Sequence, residues 1–497
     1  MLFNSIDFLL FFPIVCLLYY IVPLKFKSLW LLVVSYVFYM SWNAEYAILL
    51  LLVTITTYVG GLLLEKSRIS AQGKQKAFGS KAILFFCIIF NLAILFTFKY
   101  FGFASDLAVH LFSILGKQLT LPSLDVVLPV GISFYTFQAI GYTIDVYRQD
   151  VHAEKSFIRY ALFVSFFPQL VAGPIERSRN ILKQLSEPKA FDQDSARQGF
   201  FIMLWGYFLK IVLADRIALF VDTVYGSYYG YSGCMLMLAT VLFSIQIYCD
   251  FAGYSTIAVG TAKILGITLT DNFDAPYLSS SVSLFWKRWH ISLTSWFRDY
   301  LYIPLGGNKK GTLRKYCNIF IVFLISGLWH GADLSFIVWG GINGIYRIAE
   351  EITTPMKNKM KTFLRIRKES YLRKTICACF TFILIGFSWI FFRAPDIPSA
   401  ITVINGIFRN FNVSALSTGE ILRCGLSKAN FFLLIICILL LLLFDILKRK
   451  GCYIPKKISE AIFPVRCPIT IVFICFILLF GIWGPEFDPA NFIYFQF

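Results

Sequence analysis

The stretch Ile319-Phe320-Ile321-Val322-Phe323-Leu324-Ile325-Ser326-Gly327-Leu328 is apolar enough to lie in a lipid bilayer, and it leads directly into Trp329-His330-Gly331. A second histidine, His290, follows the aromatic and basic run Phe285-Trp286-Lys287-Arg288-Trp289. An ionisable side chain inside a membrane is costly, so its default interpretation is functional. Imidazole is also well suited to proton transfer near neutral pH. The two histidines therefore predict chemistry carried out within a bilayer.

The composition of the whole chain is that of a polytopic membrane protein. It is 58% hydrophobic and 15% charged over 497 residues, whereas soluble domains are about 45–50% apolar and about 25% charged. The net charge of +18 comes from bases clustered in short loops, as the positive-inside rule describes, so nucleic-acid binding is not expected. The 12 cysteines are scattered, mostly through apolar runs. This pattern predicts neither a zinc site nor a disulfide framework.

Twelve apolar stretches are long enough to cross, or nearly cross, a bilayer. We therefore expect an all-α protein with roughly 10–12 transmembrane helices plus short or re-entrant helices, forming one integral-membrane domain over 1–497. Met1 to Asp7 has no basic residue, which favours a retained first helix over a cleaved signal peptide. The stretches are 8–23, 28–42, 46–64, 82–99, 129–146, 156–173, 199–220, 233–265, 317–346, 375–393, 430–446 and 468–484.

Three basic clusters predict the orientation, because loops rich in Lys and Arg stay in the cytoplasm. Counting crossings from these clusters places both chain ends outside the cytoplasm. The first cluster is Lys66, Arg68, Lys74, Lys76 and Lys81. The second is Lys357, Lys359, Lys361, Arg365, Arg367, Lys368, Arg373 and Lys374. The third is Lys448, Arg449, Lys450, Lys456 and Lys457.

The segment 271–311 alternates charged and aromatic side chains. If it is helical, Arg288 and Asp299 point away from a face formed by Trp286, Trp289, His290 and Leu293. Such polar groups persist at membrane depth only when they are buried in protein or line a wet cavity. A helix that dips into the membrane, with His290 facing a cavity, fits this pattern. An interfacial amphipathic helix with an aromatic belt fits it as well.

His330 also has two interpretations. Gly327 and Gly331 leave room beside its ring for a substrate or for a second helix, but the histidine could equally bond a helix backbone. Five polar residues interrupt the run near 250: Gln246, Tyr248, Asp250, Tyr254 and Ser255. Gln246, Asp250 and Tyr254 among them are candidates for the same cavity. Ser326, Trp329, Arg288, Trp289 and Asp299 are further candidates for lining a substrate tunnel. His110 and His152 lie in polar loops or at their edges and are expected to be ordinary surface residues.

From the pattern alone, three classes of function remain open. The chain could be an enzyme, a secondary transporter with a histidine proton relay, or a structural subunit of a glycan-export complex. It contains no Gly-x-Ser-x-Gly elbow and no phosphate-binding Gly-Lys loop, so a covalent serine mechanism has no support.

Several motifs resemble the membrane-bound O-acyltransferase (MBOAT) family, in particular 286–293, 298–307 and 327–331. Met1-Leu2-Phe3-Asn4-Ser5, 129–138 and 169–175 are similar to the bacterial branch that includes alginate and peptidoglycan O-acetyltransferases and the teichoic acid D-alanyl transfer protein. The resemblance spans most of 1–400. It implies a bowl-shaped fold around a central tunnel, with an MBOAT core at about 100–400 and a C-terminal transmembrane hairpin at about 430–485.

The resemblance also implies roles and partners. His330 would be the catalytic histidine, and His290 would occupy the other signature polar position. No bound cofactor or metal is expected; the acyl donor would be acetyl-CoA or an acyl carrier thioester. The expected acceptor is an extracytoplasmic partner, an SGNH-type acetyltransferase, which passes the acyl group to a polysaccharide at the bacterial inner membrane. The run Gly173-Pro174-Ile175-Glu176-Arg177 and the length beyond 400 favour acetyl transfer over the alternative, D-alanyl transfer toward teichoic acid.

Overall fold

The computed structural model describes residues 1–70, 77–122, 127–187, 189–363, 371–414 and 419–483. Every regular element among these residues is a helix, so the predicted all-α class is confirmed. The physical reason is that a helix satisfies its own backbone hydrogen bonds, which a lipid-exposed segment cannot do with water. Of the three basic clusters, Lys74, Lys76, Arg365, Arg367 and Lys368 lie outside the described residues.

Contacts within the chain divide it into two compact units. The first comprises Met1–Phe200 and Ala258–Thr270, and the second Phe201–Ile257 and Asp271–Phe497. The first unit contains α1 (Ile6–Ile21), α2 (Lys27–Met40), α3 (Ala47–Ser70), α4 (Ala77–Leu95), α5 (Phe101–Ile114), α6 (Ile132–Arg148), α7 (Phe157–Ser165), α8 (Phe167–Leu170) and α9 (Ser178–Ser186). The prediction of a single domain over 1–497 stays a prediction.

Two helices belong partly to each unit, α10 (Gln193–Tyr207) and α12 (Gly233–Ile264). The remaining helices are α11 (Asp215–Gly226), α13 (Val282–Arg288), α14 (Ile291–Phe297), α15 (Thr312–His330), α16 (Leu334–Phe363), α17 (Tyr371–Arg393), α18 (Ile397–Arg409), α19 (Lys428–Arg449), α20 (Ile454–Glu460) and α21 (Phe463–Phe480). At the predicted C-terminal hairpin the structure has α19 and α21, with the short α20 between them. The last two residues of that prediction lie outside the described residues.

Six helices among the described residues are long and apolar enough to cross a membrane, and the protein is therefore multi-pass. The other predicted crossings correspond to helices that are shorter or more polar, so the expected 10–12 crossings stay a prediction. The six spans are Ala47–Ser67, Gly79–Ile114, Gly233–Ile264, Tyr371–Arg393, Lys428–Arg449 and Phe463–Phe480.

The apolar stretch 317–346 contains two helices, which meet in its middle. Helix α15 ends at His330, Gly331 is extended, and α16 begins at Leu334. The Asp333 side chain accepts a hydrogen bond from the Ser335 amide at 2.7 Å and so caps the first turn of α16. His330 therefore lies at the turn of a helical hairpin, not inside a continuous span.

Glycines allow the two arms of this hairpin to approach closely. A Cβ added to Gly340 would lie 2.3 Å from the Phe323 carbonyl oxygen, and one added to Gly327 would lie 2.2 Å from the Phe336 carbonyl oxygen. Small residues of this kind let helix backbones touch in membranes, where packing replaces the hydrophobic effect as the main attraction between helices. This contact places the end of α15, and with it His330, against α16.

Candidate active site

The second unit brings His290 and His330 together beside one cavity. Their ring centroids are 6.4 Å apart, and both side chains are buried. The cavity has a volume of about 360 Å³ and is lined by residues of α13, α14, α15 and α16, including both histidines. Two imidazoles, side chains capable of proton transfer, thus face one cavity that is large enough for a small reacting group.

Aromatic rings surround the His330 imidazole. The Trp339 ring of α16 lies 5.1 Å away and nearly perpendicular, and the Phe392 ring of α17 lies 5.6 Å away. Trp339 in turn stacks on Trp389 at 5.4 Å. A Cβ on Gly331 would lie 2.2 Å from the Phe336 ring, so only glycine fits after the histidine. Packing from three helices therefore fixes the position of His330 and excludes bulk water from most of its surface.

His290 lies in a break between two short helices, so the expectation of one continuous helix through it is wrong. Helix α13 ends at Arg288 and α14 begins at Ile291. His290 has φ 43° and ψ 57°, the left-handed conformation, which costs a residue with a Cβ about 1–2 kcal/mol. Its ring packs edge-on against Phe251 at 4.6 Å. Backbone strain of this kind persists only where surrounding contacts hold it, and it is frequent at active sites.

Asn272 makes the contacts that hold the backbone just after His290. Its main-chain oxygen accepts from the Ile291 amide at 3.0 Å, and its side-chain oxygen accepts from the Ser292 amide at 3.2 Å. Its Nδ2 donates to the Ser255 hydroxyl of α12 at 3.1 Å. The first two amides of a helix need partners from outside the helix, and the His290 side chain does not cap α14. Asn272 thus takes over the capping role while the imidazole faces the cavity.

Replacing Asn272 by alanine is expected to lower the free energy of unfolding by about 1–3 kcal/mol, because the buried Ser292 amide loses its acceptor. The activity of the site should fall further than this loss of stability explains, since His290 is no longer held in its left-handed conformation. The measurement is kcat together with thermal unfolding of the purified variant.

Asn91→Ala is the matched control for that variant. Asn91 is equally buried, belongs to the first unit, and donates only within its own helix, to the Cys87 carbonyl oxygen. Equal losses of kcat in Asn272→Ala and Asn91→Ala, at equal stability, would contradict the positioning role of Asn272. Ser255→Ala removes one bond of the same network and should have a smaller effect.

The cavity is apolar at the histidines and basic elsewhere. Of its lining residues that the structure describes, four are basic and none is Asp or Glu: Lys287, Arg298, Lys315 and Arg347. Lys287 and Arg298 are exposed, so this basic part reaches the surface. Lys315 is ion-paired with Glu351, and Arg298 with Asp299 at 2.8 Å. The arrangement suits a ligand that has a small reacting end and an anionic remainder.

Comparison with known proteins identifies the family. Residues 148–391 match the model of MBOAT, the membrane-bound O-acyltransferase family. The chain is 33% identical, over all of both sequences, to the "Probable alginate O-acetylase AlgI" of Pseudomonas putida. It is 32% identical to the "Peptidoglycan O-acetyltransferase" of Helicobacter pylori, over 82% of this chain and 80% of the relative. This chain therefore belongs to the membrane-bound O-acyltransferase family.

A third relative is more distant. The "Teichoic acid D-alanyltransferase" of Bacillus subtilis is 27% identical over 54% of this chain and 69% of the relative. Membership of the MBOAT family makes the protein an O-acyltransferase, which decides among the three function classes that the sequence pattern left open. The histidines are therefore considered below as groups of an enzyme.

The predicted site residues of this acyltransferase fall into two groups. Trp289 and Ser326 line the cavity together with both histidines. The Trp329 ring lies close to both imidazoles, 5.9 Å from His290 and 4.9 Å from His330. Arg288 is turned away and donates to the Leu278 carbonyl and the Ser279 hydroxyl, at 3.4 and 3.3 Å.

The polar residues of α12 lie apart from the lining of this cavity, which among the described residues includes neither Gln246, Asp250 nor Tyr254. Asp250 instead forms a buried ion pair with Lys210 at 2.6 Å, and Lys210 also binds Asp215 at 2.8 Å. These charges join α12 to the π-helical turn Phe208–Ala214, where Gly253 allows close backbone approach. Their contacts indicate that they hold α12, which carries Phe251 and Ser255, in place.

Sequence reasoning missed Trp339 and Phe392, which pack against His330, and Trp389, which stacks on Trp339. It also gave Asn272 no role. The tryptophans carried a weak signal, because an indole N–H in an apolar stretch needs a polar partner or a cavity. Asn272 carried no such signal. Its partners are Ser255, Ile291 and Ser292, and the sequence around Asn272 does not indicate hydrogen bonds to residues so far away. All four positions depend on contacts between elements of the MBOAT fold that are distant in sequence.

Proposed function

We propose that this O-acyltransferase moves an acetyl group from a cytoplasmic thioester donor to an acceptor on the outer side of the bacterial inner membrane, for O-acetylation of an extracytoplasmic polysaccharide. Both chain ends would lie outside the cytoplasm, as the basic loops predict. The proposal is supported by two relatives that match most or all of the chain and are named for alginate and peptidoglycan O-acetylation.

The observation that carries the proposal is the pair of buried imidazoles on one cavity, with ring centroids 6.4 Å apart. His330 would accept the proton of the attacking hydroxyl as its oxygen bonds to the thioester carbonyl carbon. The C–S bond then breaks, and the proton passes from His330 to the departing sulfur. General base catalysis of this type contributes about 10²–10⁴-fold in rate. The imidazole must be neutral to act, and burial favours the neutral form.

His290 would act on the carbonyl side of the reaction. It lies across the cavity from His330, where a donor to the carbonyl oxygen would stabilise the negative charge that develops there. The indole N–H of Trp286 is a second candidate. It is buried, Trp286 lines the cavity, and it has no hydrogen-bond acceptor among the described residues. Both groups are placed before the reaction begins, which is what electrostatic stabilisation of a transition state requires.

The basic lining supports a thioester donor that carries phosphate. Lys287, Arg298, Lys315 and Arg347 would attract the phosphates of acetyl-CoA or of a carrier-bound phosphopantetheine arm. The volume of about 360 Å³ is near the lower end of small-molecule sites, which span about 300–1,000 Å³. A small acyl group on a slender arm fits such a space better than a long fatty acyl chain. No bound cofactor is needed for this chemistry, because the donor itself supplies the activated acyl group.

Acetyl transfer is favoured over D-alanyl transfer by the extent of the similarity. The relatives named for acetylation match 100% and 82% of this chain, whereas the relative named for D-alanyl transfer matches 54%. The acceptor would be an SGNH-type partner that passes the acetyl group to the glycan.

The donor half of the proposal is tested with purified protein in nanodiscs and acetyl-CoA labelled in the acetyl group. We expect donor turnover in the presence of acceptor, and a Lys287→Gln variant with a higher donor KM and nearly unchanged kcat, because Lys287 would contact phosphate and not the reacting carbonyl. Lys309→Gln is the matched control, since Lys309 is exposed and lies outside the cavity lining. Turnover of a D-alanyl carrier thioester alone would instead establish the alternative.

The acceptor half is tested in cells. Mass spectrometry of surface polysaccharides should show loss of O-acetyl groups in a strain that lacks this protein, and their return on complementation. Unchanged O-acetylation of every surface glycan in that strain would refute the proposal.

A further inference from the structure

A second cavity lies in the same unit, away from the histidines. It is an open groove of about 540 Å³ between the π-helical turn after α10 and helices α19, α20 and α21. The described residues that line it are all apolar or aromatic, and they include Trp205, Phe208, Leu443, Phe444, Val472 and Phe473. This groove contains neither histidine, and the acyl-transfer chemistry proposed above does not use it.

Aromatic side chains pack against one another in the walls of the groove. The Trp205 ring stacks on Phe444 with centroids 3.8 Å apart, and Phe208 contacts Phe473 at 6.1 Å. The groove nevertheless faces outward, because Val472 is 67% exposed and Leu443 is 51% exposed. On membrane-spanning helices such surfaces face lipid, so the medium that meets this groove is the hydrocarbon of the bilayer.

Exposed lysines lie on the helix that borders the groove, although none is among the described residues that line it. Helix α20 turns its apolar residues Ile454, Pro455 and Ile458 into the groove, while Lys456 and Lys457 on the same helix are exposed. Lys450, just before α20, is also exposed. Lys456 makes a long contact of 3.8 Å to Glu460, itself exposed. An amphipathic helix with lysines beside an apolar groove matches the two parts of an anionic phospholipid.

From Pro468 to Phe476 the groove extends about 12 Å along α21, at the rise per residue of an α-helix. An extended alkyl chain is narrow enough to lie along this length.

We propose that this groove is a binding site for an anionic phospholipid, with an acyl chain along α21 and the headgroup at Lys456 and Lys457. Selectivity comes from the headgroup, because a lipid tail gains little by leaving a bilayer that is equally apolar. Basic clusters at the cytoplasmic ends of transmembrane helices attract anionic lipids in this way.

The test is native mass spectrometry of the full-length protein in detergent, titrated with dioleoyl phosphatidylglycerol or dioleoyl phosphatidylcholine. The wild type should retain phosphatidylglycerol in preference to phosphatidylcholine. Lys456→Gln/Lys457→Gln should reduce that preference at least about tenfold. Lys309→Gln/Lys310→Gln, which changes another adjacent pair of exposed lysines, should leave the preference unchanged.

A second pair of variants tests the groove itself. Val472→Trp fills it and should reduce retention of phosphatidylglycerol, whereas Leu479→Trp on the same helix should not, since Leu479 is 76% exposed and lies outside the groove lining. Leu443→Trp provides a second filled groove if Val472→Trp does not fold. Equal retention of both lipids by the wild type would overturn the proposal. Unchanged retention of phosphatidylglycerol in a folded, filled variant would also overturn it.

Discussion

Replacing His330 by alanine is expected to reduce acyl transfer by about 10²–10⁴-fold, because the attacking hydroxyl loses its general base. The loss should appear in kcat, since the basic residues that would bind the donor are unchanged. The variant should still fold and insert, because the ring is enclosed mainly by Trp339 and Phe392 and truncating it leaves the α15–α16 contact intact. The measurements are acetyl transfer from labelled acetyl-CoA and thermal unfolding in detergent.

His110→Ala is the control, because His110 is exposed on α5 in the other unit. His330→Gln separates a catalytic role from a structural one, since glutamine keeps a hydrogen-bonding side chain but does not take up a proton. Normal acylation by either His330 variant would refute the assignment of His330 as the base. Activity in both His330→Gln and His290→Gln would mean that the histidines only bond helices, which is the scaffold interpretation that the sequence left open.

Replacing Gly340 by alanine is expected to destabilise the packing of α15 against α16 and to lower activity with it. The new Cβ would lie 2.3 Å from the Phe323 carbonyl oxygen and 3.2 Å from Gly327 Cα. These are backbone atoms, so α15 and α16 must separate. Overpacking of this kind costs about 1–3 kcal/mol, and occasionally more. Since α15 carries His330 at its end, acyl transfer should fall together with the unfolding temperature.

Gly341→Ala is the matched control, one residue further along α16. Its Cβ would first meet the Leu324 Cδ2 atom at 3.5 Å, an ordinary van der Waals contact with a movable side chain. We therefore expect near wild-type stability and activity from Gly341→Ala. Equal behaviour of the two variants in thermal unfolding would show that close backbone approach at Gly340 is not what holds the hairpin together.

Much of the candidate site could be predicted from local sequence. His290 and His330 stand out because ionisable side chains are rare in apolar surroundings, and their neighbours resemble MBOAT motifs. The end of α15 at His330 also has a local signal, because Gly331 and Asp333 are residue types that end one helix and cap the next.

Other features had no local signal. The left-handed backbone at His290 depends on hydrogen bonds that Asn272, eighteen residues earlier, accepts from the backbone after His290. The Asn272 side chain is itself held by a hydrogen bond that it donates to Ser255 in α12. Asp250 looked like a cavity residue because its neighbours are apolar, but its partner is Lys210 at 2.6 Å. A charged residue inside the membrane needs a partner, and this need can be recognised from the sequence. The sequence does not indicate whether that partner is a substrate or another side chain.

The sequence by itself determined that this protein is an all-α, multi-pass membrane protein, and it singled out two histidines as candidate catalytic groups. Hydrophobicity and the cost of buried charge are properties of local segments, and they can be evaluated without a fold. Only the tertiary structure decided that His290 and His330 share one cavity, that Trp339 and Phe392 pack against His330, and that Asn272 holds the helix break. These features are contacts between distant segments, and close packing, not composition, selects which side chains meet.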